Sequence, residues 1–187
     1  MSSTGERPPA IYALSDRSNV VHIGSFSKSI APALRVGFIL APWQFMARTL
    51  ALKTDAGSGA LEQMVLAEYC TTNFFKHVPV LRRGLRTKLV TLMESLRENF
   101  GTSVEFDDPK GGIFLWVKLP DGVDTLKLYQ SALKAGVAIN PGPEWSVNKE
   151  KRRNWMRLCF ASPSVEEIAQ GVATLRSEEH TSELQSR

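Results

Sequence analysis

One lysine, two serines and one arginine are spaced closely enough in this chain to serve a single chemical site. Ser25 and Ser27 precede Lys28, and Arg35 follows that lysine by seven residues. Hydroxyl groups and a planar guanidinium are donors that bind a phosphate, and a guanidinium can contact two of its oxygens at once. A deprotonated lysine amine is a good nucleophile toward an aldehyde. The segment therefore predicts a site for a phosphorylated aldehyde that is held covalently by Lys28.

Two other interpretations of this segment stay open at the level of the residues. The run Gly24–Ser29 has some likeness to a nucleotide-binding loop that ends in glycine, lysine and serine. Ser27 stands where that loop needs its last glycine, and the first glycine is too close to the lysine. An ordinary basic turn, with Lys28 and Arg35 on the surface, is the simpler alternative on composition alone.

Two short apolar runs flank the segment and would have to position it. Val20–Ile23 and Val36–Leu40 are β-rich and bounded by glycine or proline, which indicates buried strands. If the segment stays extended, the hydroxyls of Ser25 and Ser27 face the same side. The turn between the runs, which contains Pro32, is expected to be tight.

The rest of the chain alternates helical and strand patterns, which predicts an α/β protein whose last part is a smaller α+β unit. Helices are expected over 43–52, 61–72, 79–100 and 124–135, with a final helix that begins after Ser164. Strands are expected over 104–106, 113–119, 137–139 and 156–160. The third helix is expected to have Pro79 in its first turn and an apolar stripe, formed by Leu81, Leu85, Leu89, Leu92 and Leu96.

A second candidate site residue is Arg157. Met156, Leu158 and Phe160 share one face of the last predicted strand, which leaves Arg157 on the other face. An arginine on an otherwise buried strand is costly unless an anion pairs with it. A structural salt bridge is the alternative to a ligand.

Other polar and aromatic residues are expected to be structural. A lone histidine near the start of a helix, such as His77, more often packs than reacts. Cys159 shares the face of Arg157 by alternation, but nothing indicates a reactive thiol. Three tryptophans are expected to lie in the core or in the wall of a pocket, namely Trp116, Trp145 and Trp155.

The composition excludes several classes of protein. A chain of 187 residues with 43% hydrophobic and 22% charged residues is typical of a globular protein. It has no apolar run long enough to span a bilayer and no apolar signal-peptide core at its start, so a cytoplasmic location is expected. The net charge is +4, and the basic groups lack interleaved aromatics, so we expect no nucleic-acid contacts. Cys70 and Cys159 do not make a disulfide framework or a metal site.

Several blocks of the chain together resemble class I/II aminotransferases, which are fold-type I pyridoxal-phosphate enzymes. The resemblance covers about residues 9–175. It is closest to 2-aminoadipate and kynurenine aminotransferases and to the aminotransferase-like half of MocR-type (GntR-type) regulators. The blocks are Gly24–Phe38, His77 with Leu81–Arg83, Pro109–Trp116, Gly136–Val137, Pro141–Gly142 and Met156–Ser162.

The resemblance implies a role for each candidate residue. Lys28 would form the internal aldimine with pyridoxal 5′-phosphate and then carry the proton between Cα and C4′ of the substrate adduct. Ser25, Ser27 and Arg35 would bind the cofactor phosphate, and Arg157 would bind the substrate α-carboxylate. The protein would move an amino group between an amino acid and a 2-oxo acid, and its full-length form would be a homodimer. The alternatives are an effector-binding domain of a MocR-type regulator and an inactive fragment.

The resemblance also implies a division of the chain. Residues 1–58 would be a remnant of the cofactor-binding large domain, 59–100 connecting helices, and 101–175 a small C-terminal domain. The upstream half of the large domain, with the carboxylate that pairs with the pyridinium nitrogen, would be missing. The chain alone is therefore expected to be inactive and prone to aggregation. Residues 176–187 resemble the translation of a sequencing-library adapter and are expected to be a tail without a helical pattern.

Overall fold

The fold divides into two compact units, one up to Leu81 and one from Arg82 onward. A computed structural model describes residues 8–55 and 57–184, with side chains to residue 179. None of the described helices is both long and apolar enough to cross a membrane. The division into 1–58, 59–100 and 101–175 stays a prediction.

The first unit contains a two-stranded antiparallel hairpin and helices. Its elements are α1 (Ile11–Leu14), β1 (His22–Ser25), β2 (Gly37–Leu40), α2 (Trp43–Leu52) and the first half of α3 (Ala60–Phe100). The two predicted strands are confirmed as strands, with β1 shifted two residues along the chain, and Ser25 pairs with Gly37. Their expected burial is wrong, because no residue of β1 or β2 is buried. The prediction of a tight turn between them is wrong, because residues 26–36 form a longer loop. This loop includes a short 3₁₀ turn, Pro32–Leu34.

Little of the first unit is buried. Among its described hydrophobic side chains only Val36 and Leu66 are buried, whereas the side chain of Trp43 is 73% exposed and that of Phe75 is 87% exposed. A unit with so little buried apolar area gains little free energy from folding by itself. Exposed apolar side chains of this kind are consistent with an aggregation-prone chain. Aggregation itself stays a prediction.

Helix α3 differs from the two separate helices that were predicted. It runs without interruption from Ala60 to Phe100 and contains Pro79 in its interior. Proline lacks an N–H and leaves the carbonyl of residue 75 without its helical donor, but its fixed φ is itself helical. The helix can therefore continue through Pro79, and the expected break before that residue does not occur.

The second unit packs helices on one face of an antiparallel sheet. The sheet has the order β3-β5-β4, with β3 at Phe114–Lys118, β5 at Trp155–Cys159 and β4 at Asn140–Pro141. Helices α4 (Thr125–Lys134) and α5 (Val165–Leu184) complete it with the second half of α3. The buried face of the sheet carries Leu115, Val117, Met156 and Leu158.

Most of the expected helix patterns in this unit are confirmed. Leu89, Leu92 and Leu96 of the α3 stripe are buried in the core, and Leu85 packs against it. Asp124 caps α4 by accepting a hydrogen bond from the Leu126 N–H at 3.0 Å. At the start of α5 the Ser164 N–H donates to the Glu167 carboxylate at 2.7 Å. The Glu167 N–H donates back to the Ser164 hydroxyl at 3.1 Å, which is a capping box.

Three short segments depart from the prediction. The strand over 104–106 is reduced to a single bridge between Glu105 and Lys118. The strand over 137–139 is displaced to β4, because α4 ends with Gly136 at φ 86° and the Val137 N–H donates to the Ala132 carbonyl at 2.8 Å. Such a helix ending occupies the residues that would have begun the strand.

The C-terminal tail, which begins at residue 176, is helical to Leu184 because α5 continues through it, and Glu179 is buried. Its foreign origin stays a prediction.

The core of the second unit makes a direct stability test available. Leu96 is 0% exposed, so Leu96→Ala removes buried methyl groups and leaves a cavity. We expect the free energy of unfolding to fall by about 3 kcal/mol, measured by urea titration. The matched control is Leu133→Ala on α4, where the side chain is 49% exposed and the expected loss is below about 1 kcal/mol. Equal losses for the two variants would contradict this assignment of the core.

Candidate active site

The first group of predicted site residues lies on the loop between β1 and β2. The Phe26 N–H donates to the Val36 carbonyl at 3.1 Å and closes the base of the loop. The N–H groups of Ser29 and Ile30 both donate to the Phe26 carbonyl, at 3.2 and 2.8 Å. The chain therefore turns immediately after β1, and the loop carries its polar residues beyond the end of the hairpin.

An extended segment was expected for the two serines, but the structure does not have one. Ser25 is the last residue of β1, and Ser27 lies in the turn that follows. The Ser25 hydroxyl accepts a hydrogen bond from the Ser27 N–H at 3.1 Å. Because Ser27 lies in a turn, the predicted extended segment is wrong, and strand alternation does not relate the two hydroxyls.

Arg35 ends the loop in an unusual backbone conformation. Its φ is 52° and its ψ is 33°, the left-handed region that residues with a Cβ seldom occupy. The Arg35 N–H and its Nη1 donate to the same carbonyl, that of Pro32, at 3.3 and 3.4 Å. The left-handed conformation costs about 1–2 kcal/mol in a residue other than glycine. Such strain is frequent at functional sites.

Lys28 lies exposed on the same loop. Within residues 8–55 and 57–184 it has no hydrogen bond or ion pair, so its amine is available. Across the hairpin, a Cβ added to Gly24 would overlap the ring of Phe38, which packs over that position. The fold thus places Ser25 at the end of β1 and Ser27, Lys28 and Arg35 on the loop that follows it.

Arg157 lies in the second unit, on the sheet face opposite the core. Its guanidinium is held between two rings, with Cζ 3.9 Å from the Phe114 ring centroid and 3.3 Å from that of Trp145. Its Nη2 donates to the Asn140 side-chain oxygen at 3.5 Å. The predicted placement on the face away from Met156 and Leu158 is confirmed by the burial along β5.

The surroundings of Arg157 leave one donor without a partner. Its Nε is buried and makes no hydrogen bond to the part of the chain that the structure describes. No ion pair with a carboxylate is formed by Arg157 in that same part. A buried charged donor of this kind is costly unless an anion completes it. The alternative of a structural salt bridge therefore finds no support among these residues.

The aromatic partners of Arg157 were not identified as such from the sequence. Phe114 is on the neighbouring strand, and strand alternation could have placed it on the same face. Trp145 lies in a 3₁₀ turn, Gly142–Trp145, whose direction no periodic pattern gives. Trp116 and Trp155 contact each other edge-on at 6.4 Å between ring centroids. Their expected place, in the core or a pocket wall, agrees with their position on a cleft.

His77 and Cys159 take the positions that their structural interpretation implies. His77 packs edge-on against the ring of Tyr69, at 5.8 Å between centroids. Cys159 is exposed on the face of Arg157 and is not in a disulfide. The His77 Nε2 is buried and makes no hydrogen bond within the described residues, and a structural role for both residues stays a prediction.

A comparison with known protein families covers both groups of residues. A sequence model described as aminotransferase class I and II matches residues 2–175. The chain belongs to the aminotransferase class I and II family. The match spans both the loop of Lys28 and the strand of Arg157, and it ends at the residue before the tail.

Individual relatives agree with the family but are much longer than this chain. A 2-aminoadipate transaminase of Thermus thermophilus is 32% identical over 174 residues, which are 90% of this chain and 44% of that protein. An HTH-type transcriptional regulator of Staphylococcus aureus is 35% identical over 164 residues, 86% of this chain and 36% of the regulator. This chain therefore spans less than half the length of those curated relatives.

A solved structure of an aminotransferase has the same fold as this chain. An alpha-aminoadipate aminotransferase from Thermus thermophilus, complexed with N-(5′-phosphopyridoxyl)-L-leucine, matches with a TM-score of 0.91 at 29% identity. The match covers 98% of this chain and 48% of that one. The α/β class predicted from the sequence agrees with this family fold.

Proposed function

We propose that this chain forms the lysine, phosphate and carboxylate-binding part of a pyridoxal-phosphate-dependent aminotransferase. Its reaction would move an amino group between an amino acid and a 2-oxo acid. The observation that carries the proposal is the loop of residues 26–36 with the end of β1. This segment carries the exposed Lys28, the two serines and an arginine in the left-handed conformation. The family match and the aminotransferase relatives support it.

The residues of the loop fit the cofactor chemically. A phosphate needs several donors, and the hydroxyls of Ser25 and Ser27 and the guanidinium of Arg35 provide them on one short segment. Pyridoxal 5′-phosphate supplies, when bound, an aldehyde for the amino group and a ring that accepts electrons. A related structure holds a phosphopyridoxyl amino acid. The donor set of this loop is of the kind that such a ligand requires.

Each residue would then have a distinct task. Lys28 would provide the nucleophilic amine, and after its displacement the same amine would accept and return a proton at the substrate Cα. Ser25, Ser27 and Arg35 would hold the phosphate and so fix the position of the cofactor. Arg157 would orient the substrate by pairing with its α-carboxylate, which would satisfy the buried Nε.

A second candidate function is effector sensing in a transcription regulator. The HTH-type regulator from Staphylococcus aureus matches nearly the same stretch of this chain at 35% identity. In such a protein the same residues would bind cofactor and amino acid without turnover.

Four further expectations stay proposals. The full-length protein would be a homodimer and would be located in the cytoplasm. The isolated chain would be inactive, and an inactive fragment is the third alternative for its function.

The test is a single-turnover measurement on the product of the complete coding sequence. The protein is loaded with pyridoxal 5′-phosphate and mixed with single amino acids, and pyridoxamine 5′-phosphate and the 2-oxo acid are quantified. An aminotransferase yields both products in equal amounts. Binding without either product across the amino acids would favour the regulator and refute the enzyme.

A further inference from the structure

A cleft on the second unit lies beside Arg157 and is not assigned by the proposed function. Its volume is about 780 Å³. The lining combines three tryptophans with two cationic residues and a polar turn, namely Trp116, Trp145, Trp155, Lys151, Arg152 and Ser146–Asn148. Flat aromatic walls with cations at one side suit a ligand that has both a ring and a negative charge.

The tryptophans leave ring surface available to a ligand. Arg152 stacks on Trp155, with its Cζ 4.2 Å from the ring centroid, and so occupies the face of that ring. Trp116 contacts Trp155 at an interplanar angle of 65° and is 37% exposed. Trp145 covers Arg157 and is still 50% exposed. The open aromatic surface is therefore that of Trp116 and Trp145.

The charge of the cleft is not neutralised by nearby carboxylates. Asp124 and Glu150 both pair with the adjacent Arg153, at 3.3 and 3.6 Å. Lys151 and Arg152 form no ion pair within the described residues. No acidic residue is among the lining side chains, so the cleft is positively charged.

Two tryptophans of the cleft lie on the same sheet face as Arg157. Trp116 is the cross-strand partner of Arg157, and Trp155 lies two residues before it on the same face of β5. Two residues of a strand span about 7 Å, which is the scale of one aromatic side chain. A ligand whose carboxylate pairs with Arg157 can therefore extend its side chain along Trp116 toward Arg152.

We propose that this cleft is the subsite for the substrate side chain, and that it takes a side chain with an aromatic ring and a second anionic group at its far end. The ring would pack on Trp116 and Trp145, and the distal anion would pair with Lys151 and Arg152. This inference rests on the proposed role of Arg157 in binding the α-carboxylate.

Unreactive carboxylates test the subsite without turnover. The probes are 3-phenylpropanoate and 3-(4-carboxyphenyl)propanoate, titrated calorimetrically into the product of the complete coding sequence without added cofactor. We expect the second carboxylate to tighten binding about five- to tenfold. Lys151→Gln combined with Arg152→Gln should remove that gain, and Lys151→Gln alone should remove part of it while leaving Arg152 on Trp155. The control, Lys134→Gln at the end of α4, should retain the full gain.

Two outcomes would overturn the subsite. One is equal affinity for both probes in the unsubstituted protein. The other is an equal loss of affinity for both probes in the Lys151→Gln variant.

Trp116→Leu provides a second test, since it should weaken the binding of both aromatic probes about tenfold. The failure of the enzyme proposal is distinguishable, because these titrations need neither Lys28 nor transfer of an amino group. Arg157→Gln should weaken both probes equally, and unchanged binding in that variant would be a third outcome that overturns the subsite, because the subsite rests on Arg157.

Discussion

Lys28→Arg is expected to abolish covalent attachment of pyridoxal 5′-phosphate and to lower amino-group transfer by about a thousandfold or more. Arginine preserves the positive charge of this exposed loop position, but a guanidinium does not act as the nucleophile. The measurement is borohydride reduction of the protein with the cofactor, followed by peptide mass mapping. In the unsubstituted protein the added mass should lie on the peptide that contains Lys28.

The control for this prediction is another exposed lysine of the first unit. Lys53 follows α2 and pairs with Asp55, so it lies outside the loop. Lys53→Arg should retain both the trapped cofactor and the transfer activity. If Lys28→Arg kept the reduced adduct at the level of the unsubstituted protein, Lys28 would not be the attachment residue and the proposed chemistry would be lost.

Arg157→Lys is expected to reduce kcat/KM for the amino acid by about a hundredfold, which corresponds to about 2.7 kcal/mol. The planar guanidinium fits between the rings of Phe114 and Trp145 and leaves its Nε for an anion. An ammonium group has neither the flat shape nor the fixed fork of donors. The loss should appear with every amino acid, because all of them share the α-carboxylate.

Arg83→Lys is the matched control for Arg157. Arg83 is an exposed residue of α3, and its replacement should leave kcat/KM within a factor of two or so. The cofactor adduct on Lys28 should be unaffected by Arg157→Lys, which separates substrate binding from cofactor binding. An unchanged kcat/KM in Arg157→Lys would refute the carboxylate-binding role.

The features that could be predicted from the sequence are those that local chemistry determines. Asp124 and Ser164 act as caps because their side chains reach the first free N–H groups of the helix that follows. Leu89, Leu92 and Leu96 of the α3 stripe are buried because their spacing matches the turn of a helix. Arg157 was placed on the correct sheet face by strand alternation alone.

The features that could not be predicted depend on competition between local rules or on tertiary packing. Pro79 indicated the start of a helix, but a proline inside a longer helix satisfies the same dihedral preference. The helix ending at Gly136 displaced β4 by hydrogen bonds that the apolar pattern of the following residues did not reveal. Trp145 reaches Arg157 from an irregular turn, and such a contact between distant segments has no periodic signature.

The left-handed backbone of Arg35 has a consequence for how this position can change over evolutionary time. Glycine would adopt φ 52° without the Cβ penalty, so replacing Arg35 with glycine favours folding by about 1 kcal/mol at that position. The same replacement would remove the guanidinium that we propose as a donor to the cofactor phosphate. Selection for anion binding and selection for stability therefore act in opposite directions on one residue. In descendants that no longer bind the phosphate, arginine at this position has only a cost, and drift toward glycine is the expected outcome.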